Sequence, residues 1–272
     1  MNLLELMQYI LLAVVQGISE VLPISSSGHL ALLQAILNTN AGNEAIFALL
    51  LHVGSLFAFL LFFLPVLLRL LQHLLQFIRG KRSDAIQDDM MLMVYLVIAT
   101  IPTALAGYLI KDWIDTIFQS LYIVGVGFYF TASLLILIPR FAKQSYGQYN
   151  LKNTLMSGLG QVLGILPGVS RSGVTLLGAL FGGLTLARAK EFAFLLFIPI
   201  TLGSFVVSFD RIDALDSTLL LYASVATVIA GIVTYFTLRL VFKYLDLKHF
   251  PYFAMYLFVI GTLTIALAAF AV

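Results

Sequence analysis

The chain has 272 residues, 61% hydrophobic and 10% charged, with a formal net charge of +2. Soluble domains carry about 25% charged residues, so this composition excludes a soluble globular protein and points to an integral membrane protein. Cysteine is absent, which excludes disulfides and thiolate chemistry, and so small a net charge gives no reason to expect a nucleic-acid partner.

In chain order, Met1–Gln16 carries only Glu5 as a charge, so no basic n-region and no cleavable signal is read. An apolar piece at 3–15 runs into a polar stretch, Gln16-Gly17-Ile18-Ser19-Glu20-Val21-Leu22-Pro23-Ile24-Ser25-Ser26-Ser27-Gly28-His29, followed by a second apolar piece at 24–37. Spans are predicted at 44–72, 91–110 and 120–139. The same pattern then recurs. An apolar piece at 154–166 meets Gln161-Val162-Leu163-Gly164-Ile165-Leu166-Pro167-Gly168-Val169-Ser170-Arg171-Ser172-Gly173-Val174-Thr175, continues at 174–186, and is followed by spans at 191–209, 217–240 and 252–271. The four short pieces, at about 13 residues each, fall below the roughly 20 that a crossing needs. Each pair is joined by a Pro and Ser/Gly turn, so each reads as a re-entrant helix–loop–helix, tolerated at membrane depth where protein or a wet cavity covers it.

The two polar stretches repeat. Gln16 and Gln161, Ser25 and Ser170, Ser27 and Ser172, and Gly28 and Gly173 match at one offset of 145 residues. A weaker echo sets Glu44-x-x-Phe47 with Gly54-Ser55 against Glu191-x-x-Phe194 with Gly203-Ser204. The expected fold class is therefore an all-α integral membrane protein: six transmembrane helices and two re-entrant pairs in an inverted-topology repeat. One membrane domain, 1–272, would hold repeats at about 1–139 and 154–272, joined by a cytoplasmic loop at 140–153. Charge placement orients it. The loops after 44–72, after 120–139, around 187–190 and after 217–240 hold Arg69, Arg79, Lys81, Arg82, Arg140, Lys143, Lys152, Arg188, Lys190, Arg239, Lys243 and Lys248, 12 of the 15 basic residues. Lys111 and Arg211 fall on the other side beside Asp112, Asp115, Asp210, Asp213 and Asp216. The positive-inside rule puts the first set in the cytoplasm and both termini outside. Three spans separate the re-entrant pairs, so the pairs enter from opposite faces and their tips meet near the midplane. Such inverted repeats with broken helices are common in transporters, and architecture alone favours transport.

A charged residue at a helix centre in the bilayer costs roughly 2.5–3.5 kcal/mol, so Glu20 and Arg171 need a use. Ser25, Ser26 and Ser27 precede a helix, where serines cap and free N–H groups attract anions. His29 shares a helical face with Ser26, and a hydroxyl with an imidazole in reach is a minimal activated nucleophile. Glu20 would either hold a divalent cation or orient His29. Arg171 is a fork for phosphate oxygens, with Ser170, Ser172 and Thr175 around it. Together these suit phosphoryl transfer.

Plainer roles stand beside these. The serines satisfy backbone in a turn, His29 is a structural hydrogen-bonding residue, and Arg171 is a counter-ion to Glu20. Gln16 and Gln161 tie broken helix ends together, while Gly28, Gly168 and Gly173 permit tight turns or close packing. His52 reads as a packing or cavity residue, His73 and His249 as solvated, and Trp113 and Tyr252 as interfacial. No HExxH spacing occurs, so no tightly held structural metal is expected. Small residues make a homodimer conceivable.

The pattern QxxxE (Gln16 to Glu20), LPISSSGH (Leu22 to His29) and PGVSRSGVT (Pro167 to Thr175), with Lys190-Glu191-Phe192 and Phe194-Leu195-Leu196 beyond it, resembles the undecaprenyl-diphosphate phosphatase family of bacitracin resistance along the whole chain. The resemblance implies hydrolysis of undecaprenyl diphosphate at the outer face of the bacterial plasma (inner) membrane, which regenerates the carrier for peptidoglycan and other wall polymers. It also implies the inverted repeat and a loosely bound Mg2+ or Ca2+. By motif, Ser26 matches a nucleophilic serine, His29 an essential histidine, Glu20 the essential carboxylate and metal ligand, and Arg171 the phosphate-binding arginine. Ser25, Ser27, Ser170, Ser172 and Thr175 match phosphate-binding hydroxyls, supported by Gln16, Gln161, Gly28 and Gly173. Serine and histidine are both considered as nucleophile in the family. Gln16 stands where Glu is frequent, removing one negative charge. Ser27 stands where the family has Thr, adding a competitor for Ser26. The expected mechanism has Ser26 attack the terminal phosphorus while His29 takes its proton; attack by activated water is the runner-up. From other classes, a transporter or flippase of an anionic polyprenyl lipid or small anion is the alternative, and a membrane scaffold a third reading that the buried charges oppose.

Overall fold

The computed structural model describes residues 3–39, 44–118, 120–142, 148–207 and 217–270. Every regular element among them is helical: α1 (Leu3–Ser19), α2 (Ser26–Leu37), α3 (Glu44–Phe62), α4 (Leu64–Ile78), α5 (Asp84–Phe118), α6 (Leu121–Phe141), α7 (Leu151–Leu163), α8 (Arg171–Phe181), α9 (Leu186–Val207), α10 (Ser217–Tyr244) and α11 (Phe250–Phe270). Five are long and apolar enough to cross a membrane, and a sixth crossing arises if the bent pair α3–α4 counts as one. The four short helices flanking the polar stretches are α1, α2, α7 and α8, with 17, 12, 13 and 11 residues.

The stretch read as one span at 44–72 is broken. α3 ends at Phe62, and α4 leaves at 67° to it. Pro65 in the first turn of α4 has no N–H to give the Leu61 carbonyl, and its ring crowds that carbonyl, so the helix cannot continue straight. α4 then shows three faces. Leu64, Leu68, Leu71, Leu75 and Ile78 are exposed along one side, as an apolar stripe at helical spacing facing lipid would be. Leu70 is buried against the protein. Arg69 and His73 grip Asp89 of α5: Arg69 Nε and Nη2 donate to its two carboxylate oxygens at 3.0 and 3.3 Å, and His73 Nδ1 lies 2.6 Å from Oδ2. His73 is thus a half-buried clamp rather than the solvated residue expected.

Most helix ends fall near the predicted ones, but α4 runs on to Ile78, and α5 has 35 residues, Asp84–Phe118, passing the predicted 91–110 at both ends with its polar start at Asp84–Asp89 helical. Lys143, Asp210, Arg211, Asp213 and Asp216 lie outside the described residues, as do the side chains of Glu44, Lys111, Asp112 and Asp115. Trp113 and Tyr252 are strongly exposed, as expected of interfacial aromatics.

One apolar cluster fills the centre, including Phe59 of α3, Phe128 of α6 and Phe194 and Phe197 of α9. Phe59 and Phe197 stack with centroids 4.1 Å apart. This aromatic floor lies under the two polar turns. α1 packs on α2 and α10, α7 on α8 and α5, α3 on α10, and α6 on α11.

Candidate active site

Each polar turn is built the same way. A helix ends, a proline (Pro23, Pro167) prevents its continuation, and a serine caps the next helix. Ser25 Oγ accepts from the Gly28 N–H at 3.2 Å, and Ser170 Oγ accepts from the Gly173 N–H at 3.2 Å. The paired serines also match: Ser25 and Ser27 hydroxyls are 3.4 Å apart, Ser170 and Ser172 3.2 Å. The turns differ in which residue takes the left-handed conformation, Ser25 in the first and Gly168 in the second. Ser25 has a φ of 70° where Ser170 has −76°.

α6 is the platform that brings them together. Thr131 Oγ1 donates to the Gly168 carbonyl at 3.1 Å and accepts the Ser170 N–H at 3.0 Å. Gly168 sits at φ +79° with its Cα against the Val124 carbonyl, a place only glycine fits without strain. Gly28 lies between the Phe128 ring and Gly168; a Cβ there would be 2.7 Å from the ring. The turns then join directly. Ser172 Oγ donates to the Leu22 carbonyl at 3.3 Å, and Arg171 Nη2 donates to Glu20 Oε1 at 2.6 Å.

Glu20 is the hub and is almost wholly buried. Its Oε2 accepts from Ser26 Oγ at 2.8 Å and from Gln16 Nε2 at 2.6 Å. Arg171 lies over the Phe197 ring at 4.5 Å. Among the described residues only Nη2 of its guanidinium has a hydrogen-bond partner, and Arg171 lines a void together with Glu20, Gln161, Ser172 and Phe194. A buried ion pair is retained only when further hydrogen bonds complete it, and Ser26 and Gln16 supply them here.

His29 does not bond Ser26. Its Nδ1 lies 2.7 Å from the Ser25 carbonyl and its Nε2 2.8 Å from the Tyr256 hydroxyl. A carbonyl only accepts, so Nδ1 carries a proton; in the neutral ring Nε2 then accepts and Tyr256 donates. The rings lie nearly parallel, 7° apart. The expected Ser26–His29 pair is therefore replaced by Ser26–Glu20, because the helical turn that puts the two side chains on one face also lets His29 reach back to the Ser25 carbonyl. Thr175 is also turned away: its Oγ1 donates to the Arg171 carbonyl at 2.7 Å, the usual retreat of a threonine inside an apolar helix. Ser25 and Ser170 hydroxyls are committed to caps.

Two residues outside the expected set join the cluster. His52 of α3, read as a packing or cavity residue, places Nδ1 2.7 Å from Gln16 Nε2 and 3.6 Å from Glu20 Oε2. Its signal was an imidazole inside an apolar span, a costly placement. Tyr256 of α11 carried no sequence signal beyond a hydroxyl in an apolar run.

Among the described residues no three His, Asp or Glu side chains gather as a metal cage. The oxygen donors present are the Glu20 carboxylate and the buried amide oxygens of Gln16 and Gln161, neither of which has a hydrogen-bond partner. Hard cations take oxygen ligands, and of these groups Glu20 and Gln161 line one void.

A family described as "Bacitracin resistance protein BacA" matches residues 9–263. The chain is 35% identical to undecaprenyl-diphosphatase 2 of Bacillus thuringiensis, over 96% of this chain and 97% of that one. It is 37% identical to undecaprenyl-diphosphatase 1 of Bacillus licheniformis over 96% and 97%, and 34% identical to the undecaprenyl-diphosphatase of Treponema denticola over 95% and 96%.

Proposed function

The chain belongs to the bacitracin resistance protein BacA family and hydrolyses undecaprenyl diphosphate to the monophosphate and inorganic phosphate; we propose that the Glu20–Ser26–Arg171 cluster carries that reaction. The carrying observation is the Glu20 carboxylate, which holds a guanidinium on one oxygen and a serine hydroxyl on the other. That joins an anion clamp to a nucleophile with its base.

The two uncommitted nitrogens of Arg171 take oxygens of the terminal phosphate as a fork. Drawing the guanidinium toward phosphate loosens its grip on Glu20 Oε1 and makes the carboxylate a better acceptor for the Ser26 proton. Ser26 Oγ then attacks the terminal phosphorus, its proton passing to Glu20 Oε2. The bond to the bridging oxygen breaks, and undecaprenyl phosphate departs. Water attacks the phosphoserine, its proton passing to an oxygen of the departing phosphate, while Glu20 returns the held proton to Ser26 Oγ as that bond breaks; hydrogen phosphate leaves and the carboxylate is restored. Phosphoryl transfer needs positioning and charge neutralisation above all, and a buried, pre-assembled cluster provides both. Ser27 and Ser172, beside the two caps, line the approach. A divalent cation held by Glu20, the Gln16 and Gln161 amide oxygens and the phosphates would neutralise further negative charge. His29, fixed by Ser25 and Tyr256, steadies the α2 N-terminus where the phosphates dock. The transport alternative has no support from the relatives, and a Ser26–Glu20 contact has no purpose in it.

The inverted repeat and the outward orientation belong to the same reading. Under the repeat, α3 corresponds to α9, α5 to α10 and α6 to α11. The packing of α1 on α10 is then mirrored by α7 on α5, that of α3 on α10 by α9 on α5, and α6–α11 maps onto itself. This pattern supports two interleaved halves. The basic-residue bias supports a cytoplasmic 140–153 loop, termini outside and a site opening outward in a multi-pass bacterial membrane protein.

Phosphate release from undecaprenyl diphosphate by purified protein, with and without chelator, tests the assignment. Wild type should release phosphate, chelator should suppress it, and Ser26→Ala and Glu20→Gln should be inactive though folded. Undiminished release by Ser26→Ala would transfer the nucleophile to a water held by Glu20.

A further inference from the structure

Gln16 offers its amide nitrogen to two acceptors at once, and one of them is outside the motifs. The Glu20 carboxylate has no proton to donate, so the Gln16 nitrogen rather than its oxygen must face it. The same nitrogen lies 2.7 Å from His52 Nδ1. That ring atom must therefore accept, which puts the ring proton of His52 on Nε2 and leaves the imidazole neutral. The two contacts use both amide hydrogens of Gln16 and pin its side chain between α3 and the turn after α1. Gln16 is fully buried, so water cannot replace either acceptor.

We propose that His52 is a positioning residue for the hydrolysis: it holds the Gln16 amide, and through it the rotamer of Glu20 that meets Ser26 and Arg171. The proposal rests on the phosphatase assignment above. In this chain an amide stands where a second carboxylate would repel Glu20. An amide holds Glu20 in place only while its second hydrogen has an acceptor, and His52 is that acceptor. Without it, a buried N–H is unpaired and Gln16 turns to satisfy it elsewhere, taking its grip off Glu20. Because the hydrogen bond of His52 goes to Gln16 at 2.7 Å and its Nδ1 stands 3.6 Å from Glu20 Oε2, too far to bond it, its loss should fall on kcat and spare KM.

The test compares His52→Leu, His52→Asn, Gln16→Leu and the double variant, each as full-length protein in detergent with its melting temperature recorded. The Asn amide oxygen falls near the position of Nδ1 and can accept from Gln16; Leu cannot. His52→Leu is expected to lose about tenfold in kcat, the size associated with an orphaned buried donor, with KM changed by less than about twofold. His52→Asn should recover most of that loss, and the double variant should be no slower than Gln16→Leu alone, as expected of groups acting in series. Wild-type kcat in His52→Leu, equal loss in His52→Asn, or multiplying losses in the double variant would each overturn the proposal. If His52→Leu does not fold, His52→Gln replaces it. Its amide oxygen reaches the Nε2 position instead, so Asn must be the faster of the two. Failure of wild type to release phosphate would instead sink the phosphatase assignment, and this proposal with it.

Discussion

Glu20 and Arg171 depend on each other at the scale of single residues. Removing one partner of a buried pair strands the other charge and costs about 3–5 kcal/mol. The Arg171 side chain is 20% exposed, which places its loss toward the lower end. Arg171→Ala should therefore melt lower than wild type and release no phosphate. Adding Glu20→Gln should restore the melting temperature without restoring activity. Release near the wild-type rate in Arg171→Ala would remove the phosphate-clamp role. Tyr256→Phe is a milder case. It leaves the His29 Nε2 acceptor empty beside an apolar ring, and a buried group stripped of its partner costs about 1–3 kcal/mol. Its melting temperature should fall and kcat drop by several fold; unchanged kinetics would mean that His29 needs no anchor on α11. Glu20 and Arg171 were legible in the sequence because charge in an apolar chain is expensive and demands a reason. The partners of His29 and Gln16 were not. Tyr256 is 227 positions from His29 and His52 is 36 from Gln16, and periodicity along one chain carries no information on such pairings.

Among the elements, α6 does most to assemble the site, yet as a sequence it is an ordinary apolar span. Its Val124, Phe128 and Thr131 receive Gly168, Gly28 and Ser170. Gly168→Ala would place a Cβ against the Val124 carbonyl at a backbone conformation costing roughly 1–2 kcal/mol for other residues, so the second turn must lift off α6. We expect a lower melting temperature and loss of phosphate release together. Thr131→Val keeps the shape but orphans the Ser170 N–H and one Gly168 contact; it should melt lower by a smaller margin and keep partial activity. Activity surviving intact in Gly168→Ala would show that the turn geometry is not needed for turnover. The α3–α4 bend shows the limit of composition as a guide. Residues 44–72 are continuously apolar, so they read as one span, while the break depends on one proline and on the Arg69–Asp89–His73 clamp that holds α4 to α5.

For the whole molecule, orientation decides whether the Glu20–Arg171 cluster opens to the outer face. Three crossings separate the two polar turns if α3–α4 counts as one, with α5 and α6 as the others. In the inverted repeat proposed above, that odd number would invert the second half and bring the matched loops in from opposite sides, a reading that the mirrored helix contacts support. The direction of the whole rests on charge alone. Basic residues near the ends of crossings are held in the cytoplasm, and Arg79, Lys81 and Arg82 cluster between α4 and α5. The natural absence of cysteine makes single-cysteine labelling clean. Arg82 and Trp113 are both exposed and lie near opposite ends of α5. A membrane-impermeant maleimide should label Trp113→Cys in intact cells, and Arg82→Cys only after permeabilisation. The reverse pattern would turn the protein over and direct the cluster to the cytoplasm, where it would act on the inner-leaflet pool of the diphosphate; the chemistry of the site would stand, but its supply of substrate would have to come from the other side.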